Sequence, residues 1–158
     1  MAILGVDPGK TGALALLMSD GSLQVEDVPV FKLGSKTTVD HYALARIVDA
    51  WSVHAPTVWL EQVGTRPGEG AVGAFDFGRT YGILLGVCAA HFMTVNLVTP
   101  ASWKAGMKVK GDKDESRAAA CTMFPRQSAL FARKKDDGRA EAALIAAYGE
   151  RQAERVAA

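Results

Sequence analysis

Residues 3–28 read ILGVDPGKTGALALLMSDGSLQVEDV. Ile3–Val6 is a short apolar run that stops at Asp7-Pro8-Gly9. Thr11–Met18 is apolar on both faces, and Asp20-Gly21 then marks a tight turn. Ser22–Val28 alternates through Leu23, Val25 and Asp27. The stretch predicts three strands joined by short turns, an antiparallel meander.

The pattern then changes. Pro29–Lys36 reads as a loop. Thr38–His54 carries Val39, Ala43, Leu44, Ile47, Val48 and Trp51 at helical period. Thr57–Leu60 predicts a fourth strand, short and apolar, closed by Glu61. Gly64–Gly73 holds four glycines and a proline and predicts a mobile loop. Phe75–Met93 predicts a helix apolar on most faces, hence buried on two sides. Thr94–Val98 predicts a fifth strand. Helices are expected at Pro100–Gly106 and Asp114–Phe124, separated by the basic turn Lys108–Lys113. A last helix, Arg139–Glu150, is opened by Asp136-Asp137-Gly138. Strands alternating with helices in this order give an α/β sandwich with a mixed sheet. One domain is expected over residues 1–150, followed by a polar tail at 151–158.

The chain has 158 residues, 49% apolar and 22% charged, with a net charge of +1. That suits one domain with a core of its own. The longest apolar run, Ile83–Met93, is broken by His91 and is too short to span a bilayer. The opening MAILGVDPGK carries no signal-peptide pattern. Cys88 and Cys121 make no disulfide framework and read as buried thiols of a reducing, cytoplasmic compartment. A charge of +1 excludes a strongly basic nucleic-acid binder but not a local basic groove.

Three groups of acids stand out. Gly5-Val-Asp-Pro-Gly-Lys-Thr11 is one residue too short for a P-loop and leads into a strand rather than a helix. Its Asp7, Gly9 and Thr11 match the first phosphate-binding hairpin of actin-like ATPases, which need a second domain. It also reads as a strand presenting a carboxylate, Asp7, beside a tight turn, as metal sites require; most Asp-Pro-Gly sequences are simply solvated turns. Glu61 ends a buried strand, where a carboxylate is costly unless paired or ligating, or else it stands at an exposed strand end. Asp137 and Glu141 lie four apart at a helix start. Capping accounts for Asp136 or Asp137, but less well for Glu141, which precedes the apolar run Ala142–Ala146. Converging at one sheet edge, such oxygen donors suit Mg²⁺ or Mn²⁺ rather than zinc. His41, His54 and His91 are scattered and read as surface or helix residues. Two cations about 4 Å apart are a device for phosphodiester cleavage.

Together the segments ILGVDPGKTGALAL, VWLEQV, FGRTYGILLG, TPASWKAGMKVKGDKDESRAAA and DDGRAEAALIAAYG resemble the RuvC-type Holliday junction resolvases of the ribonuclease H-like superfamily. The resemblance runs from Ile3 to Gly149, with the phage-encoded RuvC-like branch as the nearer pattern. It implies a ribonuclease H-like mixed five-stranded sheet flanked by helices. It implies catalytic, metal-binding acids at Asp7, Glu61, Asp137 and Glu141, holding two Mg²⁺ ions, with Mn²⁺ as the alternative. Bacterial members space the last two groups three apart, which would land on Gly138; spacing by four lands on Asp137, and the choice between Asp136 and Asp137 stays open. Lys104 and Lys113 match the family's lysines near the scissile phosphate, and helix-end solvation is their plain alternative. Arg133, Lys134 and Lys135 form a further basic run for the DNA backbone, or ordinary solubility charge. The family's base-stacking aromatic falls on Gly64, leaving Phe75 or Phe77 as substitutes. Gly82, Leu85, Gly86 and Ala89 fit the helix face through which the family forms homodimers, or one more core helix. The implied activity is Mg²⁺-dependent cleavage of four-way DNA junctions by paired symmetric nicks leaving 5′ phosphates, in the cytoplasm of a bacterium or a phage-infected cell. The alternatives are a broader nuclease of forks, flaps or hybrids, and a branch-binding protein that does not cut.

Overall fold

The turns at Pro8-Gly9 and Asp20-Gly21 fold the first strands onto one another. In the computed structural model, which describes residues 1–64, 68 and 70–157, β1 (Ile3–Asp7), β2 (Ala13–Leu17) and β3 (Leu23–Asp27) form the expected antiparallel meander. Gly21 takes φ +79° at the second turn, where Asp20 accepts a hydrogen bond from the Ser22 amide at 2.9 Å.

Pro29–Lys36 departs from the expectation of a loop, and Thr38 and Val39 from that of a helix. β4 (Val30–Leu33) and β5 (Lys36–Val39) pair as a separate antiparallel hairpin, turning at Gly34 with φ +63°. Two short runs separated by Gly34-Ser35 are the signature of such a two-residue turn. Thr38 and Val39 therefore belong to a strand. Helix α1 (His41–Ser52) begins after Asp40, whose carboxylate caps the Ala43 amide at 2.9 Å.

β6 (Thr57–Glu61) lies parallel to β1, and β7 (Val95–Val98) parallel to β6. The sheet has five strands and is mixed, as expected, and its order is β3-β2-β1-β6-β7. Helix α2 (Ala71–Ala90) precedes β7. After it come α3 (Pro100–Met107), α4 (Lys113–Met123), 3₁₀ turns at Pro125–Phe131 and Lys134–Asp136, and α5 (Asp137–Ala157). α5 runs past Glu150, where the sequence reading ended it. Of the expected mobile loop at Gly64–Gly73, residues 65–67 and 69 lie outside those described, and Ala71–Gly73 are already helical.

The sheet separates two cores. Ile3, Ala13, Ala15 and Leu17 face α3, α4 and α5. Leu4, Val6, Leu14, Leu16, Val58 and Leu60 face α1 and α2. This is the period-two alternation of strands buried on both sides. The α5 face is lined with small residues because the helix lies close. A Cβ on Gly5 would collide with the Ala142 carbonyl and the Ala146 amide.

α2 differs from the reading of a helix buried on two sides. Its buried residues are Thr80, Leu84 and Cys88, one stripe against the sheet, while Val72 and Phe75 are 75% and 74% exposed. Among the described residues, no helix is long and apolar enough to cross a membrane.

Candidate active site

Strand alternation directs the acids. On β1, Ile3 and Gly5 face α5, so Asp7, two further along, faces it as well. On β6, Leu60 faces α1 and α2, so Glu61 turns the other way. β1 and β6 are parallel neighbours, and both acids end their strands at the same sheet edge. α5 starts at that edge with Asp137 and carries Glu141 one turn later. All four acids line one cavity of about 720 Å³, together with Lys104 and Lys113. The crevice beyond the carboxyl ends of parallel strands is where open α/β sheets bind ligands.

Each acid has a defined environment. Burial pushes the Asp7 carboxyl well above the usual aspartate range, the charges of Glu61, Glu141 and Asp137 push it further, and Lys113 opposes them. Glu61 is 7% exposed and accepts a hydrogen bond from Trp103 Nε1 at 2.7 Å. Asp137 is paired with Lys113, and that bond raises the Lys113 ammonium above its ordinary value. Glu141 pairs with Lys104 at 3.2 Å and accepts from Ser116 Oγ at 3.4 Å. Among the described residues, no three acidic, histidine or cysteine side chains are already closed into one metal-binding group.

The two adjacent aspartates are put to different uses. Asp136 is 2% exposed and accepts from the Arg133 amide at 2.9 Å and from its guanidinium at 2.8–3.1 Å. That closes a capping box over the 3₁₀ turn. Arg133 is thereby committed to Asp136, while Lys134 and Lys135 are exposed on the turn leading into α5. Asp137 faces the cavity. Gly138, the residue that three-apart spacing would select, packs against the β1–β2 turn. A Cβ there would collide with the Thr11 carbonyl and come 3.2 Å from Asp7 Oδ2, so this backbone has no room for an acid at that position.

Phe77 lines the cavity, whereas Phe75 projects from α2. His41, His54 and His91 are absent from the cavity lining. Cys88 and Cys121 are free thiols, and burial pushes Cys88 up to about 11. Trp103, Ser116, Lys10 and Asp76 were not singled out from the sequence. The signal for Trp103 was its place beside Lys104 in SWK: a buried indole N–H needs an acceptor. Asp76, the one acid on the largely apolar α2, was the signal for the Lys10 pair.

No protein-family model matches the chain. Over 84 residues, 52% of this chain, it is 36% identical to the chloroplastic Holliday junction resolvase MOC1 of Chlamydomonas reinhardtii, of which that segment is 10%. The chain thus spans about a tenth of the length of this relative. Two structures of Thermus thermophilus RuvC match almost end to end. The first matches with a TM-score of 0.61 and 19% identity over 97% of both chains. The second, RuvC in complex with a Holliday junction substrate, matches with a TM-score of 0.62 and 17% identity over 96% of both. The chain has the ribonuclease H-like fold of RuvC, and the resemblance read from its sequence stands in that fold and in the aligned segment.

Proposed function

We propose that this chain is a metal-dependent endonuclease that resolves four-way DNA junctions. The observation that carries the reading is the convergence of Asp7, Glu61, Asp137 and Glu141 from three elements on one cavity that also holds Lys104 and Lys113. The name of the relative and the junction-bound RuvC neighbour supply the substrate class.

The donor set fits Mg²⁺. It consists of hard carboxylate oxygens without a sulfur or imidazole competitor among the described residues that line the cavity. The mutual repulsion felt at Asp7 is what divalent charge would relieve. Asp7, Glu61, Asp137 and Glu141 would hold two ions. When bound, such a pair neutralises the scissile phosphate and eases deprotonation of the attacking water.

The chain's own groups do the rest. Trp103 fixes Glu61 by its indole N–H. Lys104 and Lys113 bring cations to a wall that would otherwise repel DNA, and are placed to neutralise phosphate oxygens during transfer. Lys134 and Lys135, exposed beside the entry to α5, are placed for backbone contacts, and Phe77 is the aromatic placed to meet a base. Two symmetric nicks require two sites. We assign the unburied α2 face to a two-fold homodimer, whose isologous contact would present both.

The test is cleavage of end-labelled four-way junction, fork and linear duplex in Mg²⁺ by the wild type and Asp7→Asn. Paired symmetric nicks with 5′ phosphates in the junction, absent from Asp7→Asn while binding persists, are the expected outcome. Equal cutting of forks would replace this reading with a general branched-DNA nuclease. Binding without cutting by either protein would overturn the catalytic assignment.

A further inference from the structure

The cavity has a second charged group, which joins the β1–β2 turn to α2. Lys10, in the β1–β2 turn three residues beyond Asp7, forms an ion pair with Asp76 Oδ2 on α2, the two side chains being 33% and 29% exposed. The other oxygen, Asp76 Oδ1, accepts from Arg79 Nη2 at 2.7 Å. Arg79 Nη2 also donates to Thr38 Oγ1 on β5 at 2.5 Å. One carboxylate thus serves two cations, and both hold it below the usual range, Lys10 more strongly. The group carries a net charge of +1, from two cations and one anion.

Its position decides what it can do. Lys10 and Asp76 line the same cavity as the four acids. Lys104 and Lys113 belong to α3 and α4, on the α5 side of the sheet. Asp76 belongs to α2, on the other side. A phosphodiester strand crossing this sheet edge would meet Lys104 and Lys113 around the acids and then reach Lys10. We infer that Lys10 contacts a DNA phosphate next to the scissile one, and that Asp76 occupies its ammonium until the phosphate replaces it. The inference rests on the nuclease reading above and adds a contact and a competitor to it.

The exchange is physically reasonable. Both partners are partly solvated, and such exposed pairs are weak and screened by salt. A phosphate oxygen offers Lys10 an equivalent charge-assisted bond. Asp76 does not lose all its partners when Lys10 leaves, because Arg79 remains bound. Asp76 is therefore a positioning residue acting through Lys10, and removal of its charge should favour DNA. A purely architectural pair, tying the β1–β2 turn to α2, makes the opposite forecast: loss of either partner should impair binding alike.

Equilibrium binding of a four-way junction in EDTA, over a salt series, separates the two. The proteins are wild type, Lys10→Ala, Asp76→Asn and the double variant, with melting temperatures as a folding control. Lys10→Ala should weaken binding and reduce the slope of log affinity against log salt by about 1, the loss of one phosphate contact. Asp76→Asn should tighten binding about twofold to fivefold at low salt, the scale of one exposed ion pair no longer competing. In the Lys10→Ala background that gain should shrink, because part of it acts through Lys10. Weakening by both variants, or a salt slope unchanged by Lys10→Ala, would overturn the inference while leaving the nuclease reading intact. Failure of the wild type to bind the junction would remove both.

Discussion

At the scale of single residues, the site stores electrostatic tension that stability can report. Asp7 unfolded titrates near the ordinary value of 3.8, and folded it titrates well above that. Between the two values the folded state binds more protons than the unfolded, so stability falls as pH rises through that window. Asp7→Asn removes the penalty. In chelator near neutral pH the variant should melt above the wild type, and the difference should close as pH falls toward the ordinary aspartate range. Mg²⁺ should then raise the wild-type melting temperature more than the variant's. A variant less stable than wild type at neutral pH would show that Asp7 is held by attraction rather than repulsion. Trp103 makes a complementary case. It is fully buried and donates to the buried Glu61. Trp103→Phe should cost about 1–3 kcal/mol in stability by removing a buried hydrogen bond to a carboxylate. It should slow junction cleavage roughly 10–100-fold, as loss of a ligand-orienting partner does, with junction affinity in EDTA unchanged. The acids were legible because an acid is out of place at the end of an apolar strand. Trp103 was not, because an indole in a short helix reads as core until its N–H is asked for a partner.

At the scale of elements, the site exists because α5 lies close on β1 and β2. The sequence GALALL puts Ala13 and Ala15 toward α5 and Leu14 and Leu16 toward α1 and α2, a size asymmetry that alternation alone does not reveal. Gly5 completes the close approach. Gly5→Val should force α5 outward and destabilise by about 1–3 kcal/mol or more, the usual cost of overpacking, measured by denaturant melts. Junction cleavage should fall further than stability accounts for, since α5 carries Asp137 and Glu141; retained wild-type activity in a folded variant would show that the approach is not needed. The five strands' places along the chain and the mixed character of the sheet were legible from turns and periods, whereas their order across the sheet was not read. The β4–β5 hairpin was passed over because Pro29 and the mixed polarity of FKLGSKTT resemble a loop, although Gly34-Ser35 is a two-residue hairpin turn. Asp136 and Asp137 are near-equivalent in a one-dimensional pattern; the fold separates their surroundings, with Asp136 held in the Arg133 capping box and Asp137 lining the cavity.

At the scale of the whole molecule, one surface is out of keeping with the rest. α2 is apolar almost all round, yet the sheet covers a single stripe of it. Val72 and Phe75 project from its first two turns, and a Cβ at Gly78, Gly82 or Gly86 would meet nothing within 4 Å. Projecting side chains at one end and bare glycines toward the other are complementary under a two-fold axis, which sets each end of the helix against the opposite end of its twin. Under the proposed homodimer, Phe75→Asp should place a charge in the α2 contact and shift the protein toward monomer, read by light scattering across a concentration series. The fold should be spared, because Phe75 is 74% exposed in the single chain, and the melting temperature at low protein concentration should change little. On the proposed activity, four-way junctions should then be nicked in one arm rather than in symmetric pairs, since each cavity stays intact while the second is no longer delivered to the same junction. Paired nicking by a protein that remains monomeric on the junction would reject the two-fold arrangement and leave the α2 face to some other partner.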